Sequence, residues 1–289
     1  MIIAMKKLFI TIMGLLVVLS CGQKPNSSSD DADDEPIDDG TEEVEATKPL
    51  ELKTYTFSDT LGMAHVDISI EFPVKGEKKL VNAIRRYLSD VILQESDEAD
   101  QADGKSLADH HGKFHMERMK ELAAQYEGDD YVTEVFYDWS FIKHYEDDHV
   151  VTFLTLTSLY EGGIHGIGYQ EGVTFFKKNG QRFDYNMLKG TDSDKFMGLL
   201  REGLRQFFSP NKKELIDDTN LAEELVSIGG LDEIPLPNAD PYITSEKGIH
   251  FIYQPYEVSY YAAGKPEFDI PMKDIRPFLT KKAKSLLED

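Results

Sequence analysis

The sequence predicts an α+β protein, built mainly of antiparallel sheets with helices packed on one face and arranged in two lobes. Three observations carry that expectation. Ala64, Val66, Ile68, Ile70 and Phe72 alternate with His65, Asp67, Ser69 and Glu71, the period of a strand with one wet face. Asn179-Gly180 stands between two strand-like runs and is the strongest hairpin signal in the chain. Leu80, Ile84, Tyr87, Leu88 and Val91, and later Phe196, Leu199, Leu200, Leu204 and Phe207, recur at helical spacing and give each helix one apolar face.

The N-terminus comes first. Lys6 and Lys7 precede the apolar run Leu8–Leu19, which stops at Ser20-Cys21; residues 1–21 read as a secretory signal, too short to be taken first as a spanning helix. Val18-Leu19-Ser20-Cys21 resembles a bacterial lipobox, which makes Cys21 the expected lipidation site and a membrane the expected partner through the N-terminal lipid. Cys21 is the only cysteine, so a lipidated chain forms no disulfide and relies on its core alone. Residues 22–49 are dominated by Asp, Glu, Ser and Pro and read as a disordered acidic stalk. That stalk has no EF-hand spacing. An N-terminal α+β lobe is expected over 50–175 and a C-terminal one over 176–289.

The net charge is −22, of which about −16 belongs to residues beyond the stalk. Such a surface disfavours nucleic acid and other polyanions and steers cationic proteins or peptides toward itself. Acidity for solubility alone is the competing explanation.

Beyond the stalk, strands are expected over 51–57 and 64–72, the second ended by Pro73. A helix follows over 78–94, then an acidic structureless stretch over 95–105 and a weaker helix over 107–126. Tyr131–His144 and His149–Leu159 are expected to pair through the turn at 145–148, with Val135, Tyr137, Trp139 and Phe141 on one face. Strands at 169–178 and 181–185 flank the Asn-Gly turn, and Asp192 or Ser193 caps a helix over 194–208 that Pro210 closes. Shorter helical pieces are expected at 212–217 and 221–228. Strands at 242–245, 249–254 and 267–270 follow, with a turn at Lys247-Gly248, and then a terminal helix over 272–287.

Candidate functional residues cluster in two places. Glu161, Gly162, Gly163, His165 and Gly166, with Tyr169 beyond, form a glycine-dense reversal that holds one imidazole. Tyr256, Glu257, Tyr260 and Tyr261 lie in an irregular segment bracketed by Pro255 and Gly264, and read either as a contact surface or as a packed corner. His111 and His115 stand four apart and could face one metal ion. Without a third ligand, and with Gly112 between them, they read instead as a solvated helix end. No metal site and no cofactor are expected.

Two of these segments carry a resemblance. YEGGIHG at 160–166 is similar to a YxGGAHG motif, and IHFIYQPYEVSYYAAGKPEFDIPMKDI at 249–275 resembles FxFxPYEIAPYAxGxxxFxIPYxEL. Both occur in the RsiV-like extracytoplasmic domain family, found in a lysozyme-sensing anti-sigma factor of Bacillus, in the non-catalytic part of some peptidoglycan deacetylases and in many Bacteroidetes lipoproteins. The resemblance spans about Leu50–Leu279. It implies a two-lobed α+β fold without known catalytic activity. This chain differs in carrying a lipobox and stalk where the anti-sigma relatives carry a sigma-binding segment, and in having Ile164 where the motif has alanine.

The expected function is therefore a non-enzymatic lipoprotein anchored to the bacterial cell envelope, on its periplasmic or outer-membrane face, that binds a lysozyme-like cationic protein or peptidoglycan. Gly22-Gln23-Lys24-Pro25-Asn26 supplies only a weak acidic export signal behind Cys21. The first alternative is a cell-wall sugar or peptide hydrolase or deacetylase with His165 as general base and Glu161 or Glu257 as its partner; a Glu161–Glu171 pair would suit glycoside hydrolysis. No nucleophile elbow, HExxH or P-loop is present. The second alternative is a structural envelope protein.

Overall fold

Alternation of apolar and polar side chains builds the larger of two sheets. The computed structural model describes residues 49–93, 103–211, 213–245 and 248–288. The signal segment, Cys21, nearly all of the stalk, most of the acidic stretch at 95–105 and Lys247 of the expected turn lie outside the described residues. Six strands, β1 (Glu51–Leu61), β2 (Ala64–Lys75), β3 (Val135–Glu146), β4 (Val150–Tyr160), β5 (Ile167–Phe176) and β6 (Arg182–Phe183), lie in chain order in one sheet. Every neighbouring pair is antiparallel except β2 and β3, which run parallel. That exception has a cause in the chain: α1 (Lys78–Leu93) and α2 (Gly104–Gln125) lie between those strands and act as the crossover that a parallel pair requires.

Both helices cover one face of this sheet. Val66, Ile68 and Ile70 stand opposite Tyr137, Trp139 and Phe141 in the parallel register and pack with Leu80, Ile84 and Leu88 of α1 and Leu107, Met116 and Met119 of α2, all buried. Each such aliphatic side chain contributes about 1.5–3 kcal/mol by leaving water. α2 approaches β1 closely because it carries glycine on the facing side: a Cβ at Gly112 would lie 2.1 Å from the Phe57 ring.

The second sheet is smaller. β7 (Tyr242–Ser245), β8 (Gly248–Ile252) and β9 (Glu267–Pro271) form an antiparallel trio. Helix α3 (Asp194–Phe208), capped by Ser193, lies on β9, where Gly203 admits the Phe268 ring. Phe196, Leu200, Leu204, Phe251, Tyr253 and Ile270 form this second apolar core. The two sheets meet through buried threonines: Thr152 Oγ1 donates to the Ile243 carbonyl at 2.7 Å, and Ile243 N–H donates to Thr174 Oγ1 at 2.9 Å. β7 therefore covers only one end of the face that α1 and α2 leave bare.

Several expected boundaries move for local reasons. β2 runs through Pro73 to Lys75; its pairing with β3 ends at Ile70, so a residue lacking N–H is tolerated beyond it. Residues 131–134 are not strand, since the Asp129 carboxylate accepts from Tyr131 N–H at 2.7 Å and holds a turn there. Asp103 accepts from Ser106 N–H at 2.8 Å and starts α2 three residues early. No helix forms over 213–217, where Asn211 Oδ1 takes Lys213 N–H and Ser209 Oγ takes Ile216 N–H. Asp217 caps α4 (Asp218–Glu224), which ends four residues before the expected Ile228. Pro277 divides the expected terminal helix into α5 (Met272–Ile275), a 3-10 turn and α6 (Lys281–Glu288).

Candidate functional site

Strand registers bring three connections to one end of the larger sheet. Leu61 pairs with Ala64, Ala64 with Val135, Phe136 with Tyr160, and Leu159 with Ile167, so the β1–β2 turn, the loop before β3 and the glycine turn after β4 are neighbours. The turn itself needs its glycines. Gly162 (φ +84°) and Gly163 (φ +116°) occupy conformations that side chains avoid, and a Cβ on Gly162 would meet Tyr126 of the α2 C-cap at 2.3 Å. Tyr160 O–H closes the turn by donating to the Gly163 carbonyl at 2.8 Å.

The tyrosine segment closes over this turn. His165 stacks on Tyr261 with ring centroids 3.6 Å apart and planes within 11°. Its Nδ1 lies 3.0 Å from the Gly166 carbonyl and its Nε2 3.4 Å from Tyr256 O–H, while Tyr261 O–H donates to the same Gly166 carbonyl. Gln254 reinforces the junction by bonding Gln170 N–H at 3.2 Å and the Gln170 carbonyl at 2.7 Å, an imitation of strand pairing by a side chain. Tyr256 is the one non-glycine residue with positive φ among those described, at 69°. Such strain costs about 1–3 kcal/mol and persists only where the surroundings impose it. Here they do: Glu257 accepts from Gln254 N–H at 2.7 Å and from Asn238 N–H at 2.6 Å, and so clamps the turn around Tyr256.

The sequence-predicted residues thus divide. Gly162, Gly163, His165, Gly166, Tyr256 and Tyr261 converge on one site, with Ile164 at its tip wholly exposed. Glu161 forms an ion pair with Arg118 of α2. Tyr260 donates to Glu224 Oε2 at 3.0 Å, a bond that raises its pKa. Tyr169 stands opposite Thr157 on β5, partly exposed. Glu171 pairs in register with Thr155, six positions back along β4 from Glu161, or about 20 Å at strand rise. Its carboxyl is pushed up by burial and then by Asp240, in a small pocket of about 210 Å³ with Arg182. The Glu161–Glu171 pair is therefore not assembled, since glycoside hydrolysis places its carboxyls about 5–9.5 Å apart.

His111 and His115 do not form a solvated helix end. His111 is 7% exposed, with Nε2 3.2 Å from Tyr137 O–H, and His115 stacks on the Tyr137 ring at 3.5 Å. Burial, with neighbouring positive charge, lowers their pKa values to about 3 and about 4, which favours the neutral ring at buried His111 and at half-buried His115. Gly112, between them, lets α2 approach the Phe57 ring of β1 closely.

One cluster escaped the sequence reading. On the sheet face that β7 leaves bare lies a groove of about 760 Å³ with Ser58, Asp67, Ser69, Asp138, Ser140 and Ser158 in its floor and Lys265 at its side. His65 and Asp67 share the wet face of β2, and the parallel register sets Asp138 directly opposite Asp67. Alternation marked His65 and Asp67 as co-facial; only the β2–β3 register, invisible to local spacing, brings in Asp138.

Among the described residues no helix is long and apolar enough to cross a membrane. Residues 192–273, from the cap of α3 to the start of α5, match the model of a family described as a protein of unknown function, DUF3298. The match includes the tyrosine segment and stops short of the glycine turn. The fold is similar to that of a DUF3298 family member from Bacteroides fragilis (17% identity, TM-score 0.63), covering 84% of this chain and 99% of that one. It is also similar to a DUF3298 family protein from Pseudomonas aeruginosa (13% identity, TM-score 0.52), covering 82% and 96% respectively. At these identities the likeness shows a shared fold. The curated proteins contain no match.

Proposed function

We propose that this protein is a non-catalytic binding module of the cell envelope, lipid-anchored through Cys21, whose partner is a cationic protein of the lysozyme kind. The observation that carries the reading is the closure of the tyrosine segment over the glycine turn, which spends the polar groups of His165 and Tyr261 internally and leaves Ile164 and Tyr256 outward. Leu61, Tyr131, Ile164 and Tyr256 are 59%, 94%, 100% and 52% exposed at the same end of the sheet. Exposed acids stand close to Leu61 and Tyr131 in the chain: Asp59, Glu127, Asp129, Asp130 and Glu134. Apolar anchors together with such acids suit a basic partner, with the acids setting encounter rate and the anchors setting residence time.

Catalysis fits the geometry less well. A general base needs a free ring nitrogen and an orienting acid, whereas both His165 nitrogens face groups of its own chain, Glu161 faces Arg118 and Glu257 holds backbone N–H groups.

The test is a titration with a c-type lysozyme and, separately, with soluble peptidoglycan fragments, at low and at physiological salt. Saturable lysozyme binding is expected to persist at physiological salt and to weaken about tenfold or more in Ile164→Asp. Binding that vanishes once charges are screened beyond about 8 Å would reduce the interaction to unspecific attraction and overturn the proposal.

A further inference from the structure

We infer that His65, Asp67 and Asp138 form a binding site for a divalent transition-metal ion of the zinc or manganese kind in the floor of the groove. Their nitrogen and oxygen donor atoms all lie within 4.8 Å of one another. Donors around one such ion, each about 2.0–2.2 Å from it, lie about 3–3.5 Å apart, so modest rotamer changes close the set. The backbone positions are fixed by the sheet, not by a loop: two ligands alternate on β2 and the third is their cross-strand neighbour.

Three further features point to a cation. Thr60 Oγ1 lies 2.8 Å from His65 Nδ1 and fixes the ring so that Nε2 faces Asp67, also at 2.8 Å, as outer-shell partners orient ligating histidines. Oδ1 of Asp138 is shut off from solvent yet meets no donor among the described residues, and buried polar atoms are rarely left so. Asp67 and Asp138, directly opposite on neighbouring strands, repel each other, and a cation between them would relieve that repulsion. An imidazole among the donors favours a transition ion over calcium, and the serine-lined groove leaves room for water or an anionic ligand at the remaining positions.

Tag-free protein titrated with Co2+ and Zn2+ tests this, read by calorimetry and by the visible absorption of bound Co2+. One ion per chain is expected, with affinity reduced about tenfold or more in Asp138→Asn and in His65→Ala and unchanged in His115→Ala. Thermal unfolding of each metal-free variant separates loss of a ligand from loss of fold. Absence of stoichiometric binding, or binding indifferent to Asp138→Asn in a folded variant, would overturn the inference.

Discussion

At the scale of single residues, the glycines do more than relieve strain. Gly172 of β5 lies directly beneath the Tyr242 ring, where a Cβ would approach to 2.1 Å, and Tyr242 is 1% exposed and has nowhere to move. Gly172→Ala is expected to destabilise the protein by about 1–3 kcal/mol, the usual consequence of overpacking, as a shifted midpoint in urea. An unchanged midpoint would mean that the sheets can part there. His250 makes the opposite kind of statement. Burial disfavours its charge, but the Nδ1 hydrogen bond to Asp269 and the nearby Glu267 carboxylate, 3.4 Å from Nε2, outweigh burial and raise its pKa to about 9. Its folded pKa exceeds the unfolded one of about 6.5, so its stabilisation is complete below that value and is lost as pH rises through 9. His250→Gln should therefore lower stability most at pH 6 and least at pH 10, measured by thermal unfolding across that range.

At the scale of elements, what was legible depended on how local the signal was. α3 matches its expected bounds because Ser193 caps it and Pro210 closes it, both within the helix's own sequence. The buried faces of β2 and β3 followed from alternation alone. The parallel pairing between them did not, since it arises from the two-helix crossover, and with it the meeting of Asp67 and Asp138 stayed hidden. The two candidate segments were each visible, and their resemblance to motifs of one family paired them; the stacking of His165 on Tyr261 was beyond any spacing rule. The His111–His115 pair was misread because periodicity gives α2 a weak apolar face, whereas packing against Tyr137 of β3 decides its burial. That burial carries a prediction. Both folded pKa values lie below 6.5, so the unfolded chain takes up protons first and the helix–sheet contact is fully stable above pH 6.5 and weakens as pH falls toward 4. His115→Phe should flatten this acid limb, and an unaltered limb would place the acid sensitivity elsewhere.

At the scale of the whole molecule, two apolar cores support one sheet whose ends differ in chemistry. One end is sealed against the second sheet by threonine hydrogen bonds. The other gathers exposed Leu61, Tyr131, Ile164 and Tyr256 among acids, above a groove floored with small hydroxyl side chains. The proposed contact surface is the closed junction of glycine turn and tyrosine segment, and amide hydrogen exchange with and without a c-type lysozyme at physiological salt reports on it residue by residue. New protection is expected to be confined to residues 127–134, 160–168 and 254–264. Protection spread evenly over the acidic surface, or none in those three segments while lysozyme is bound, would contradict it.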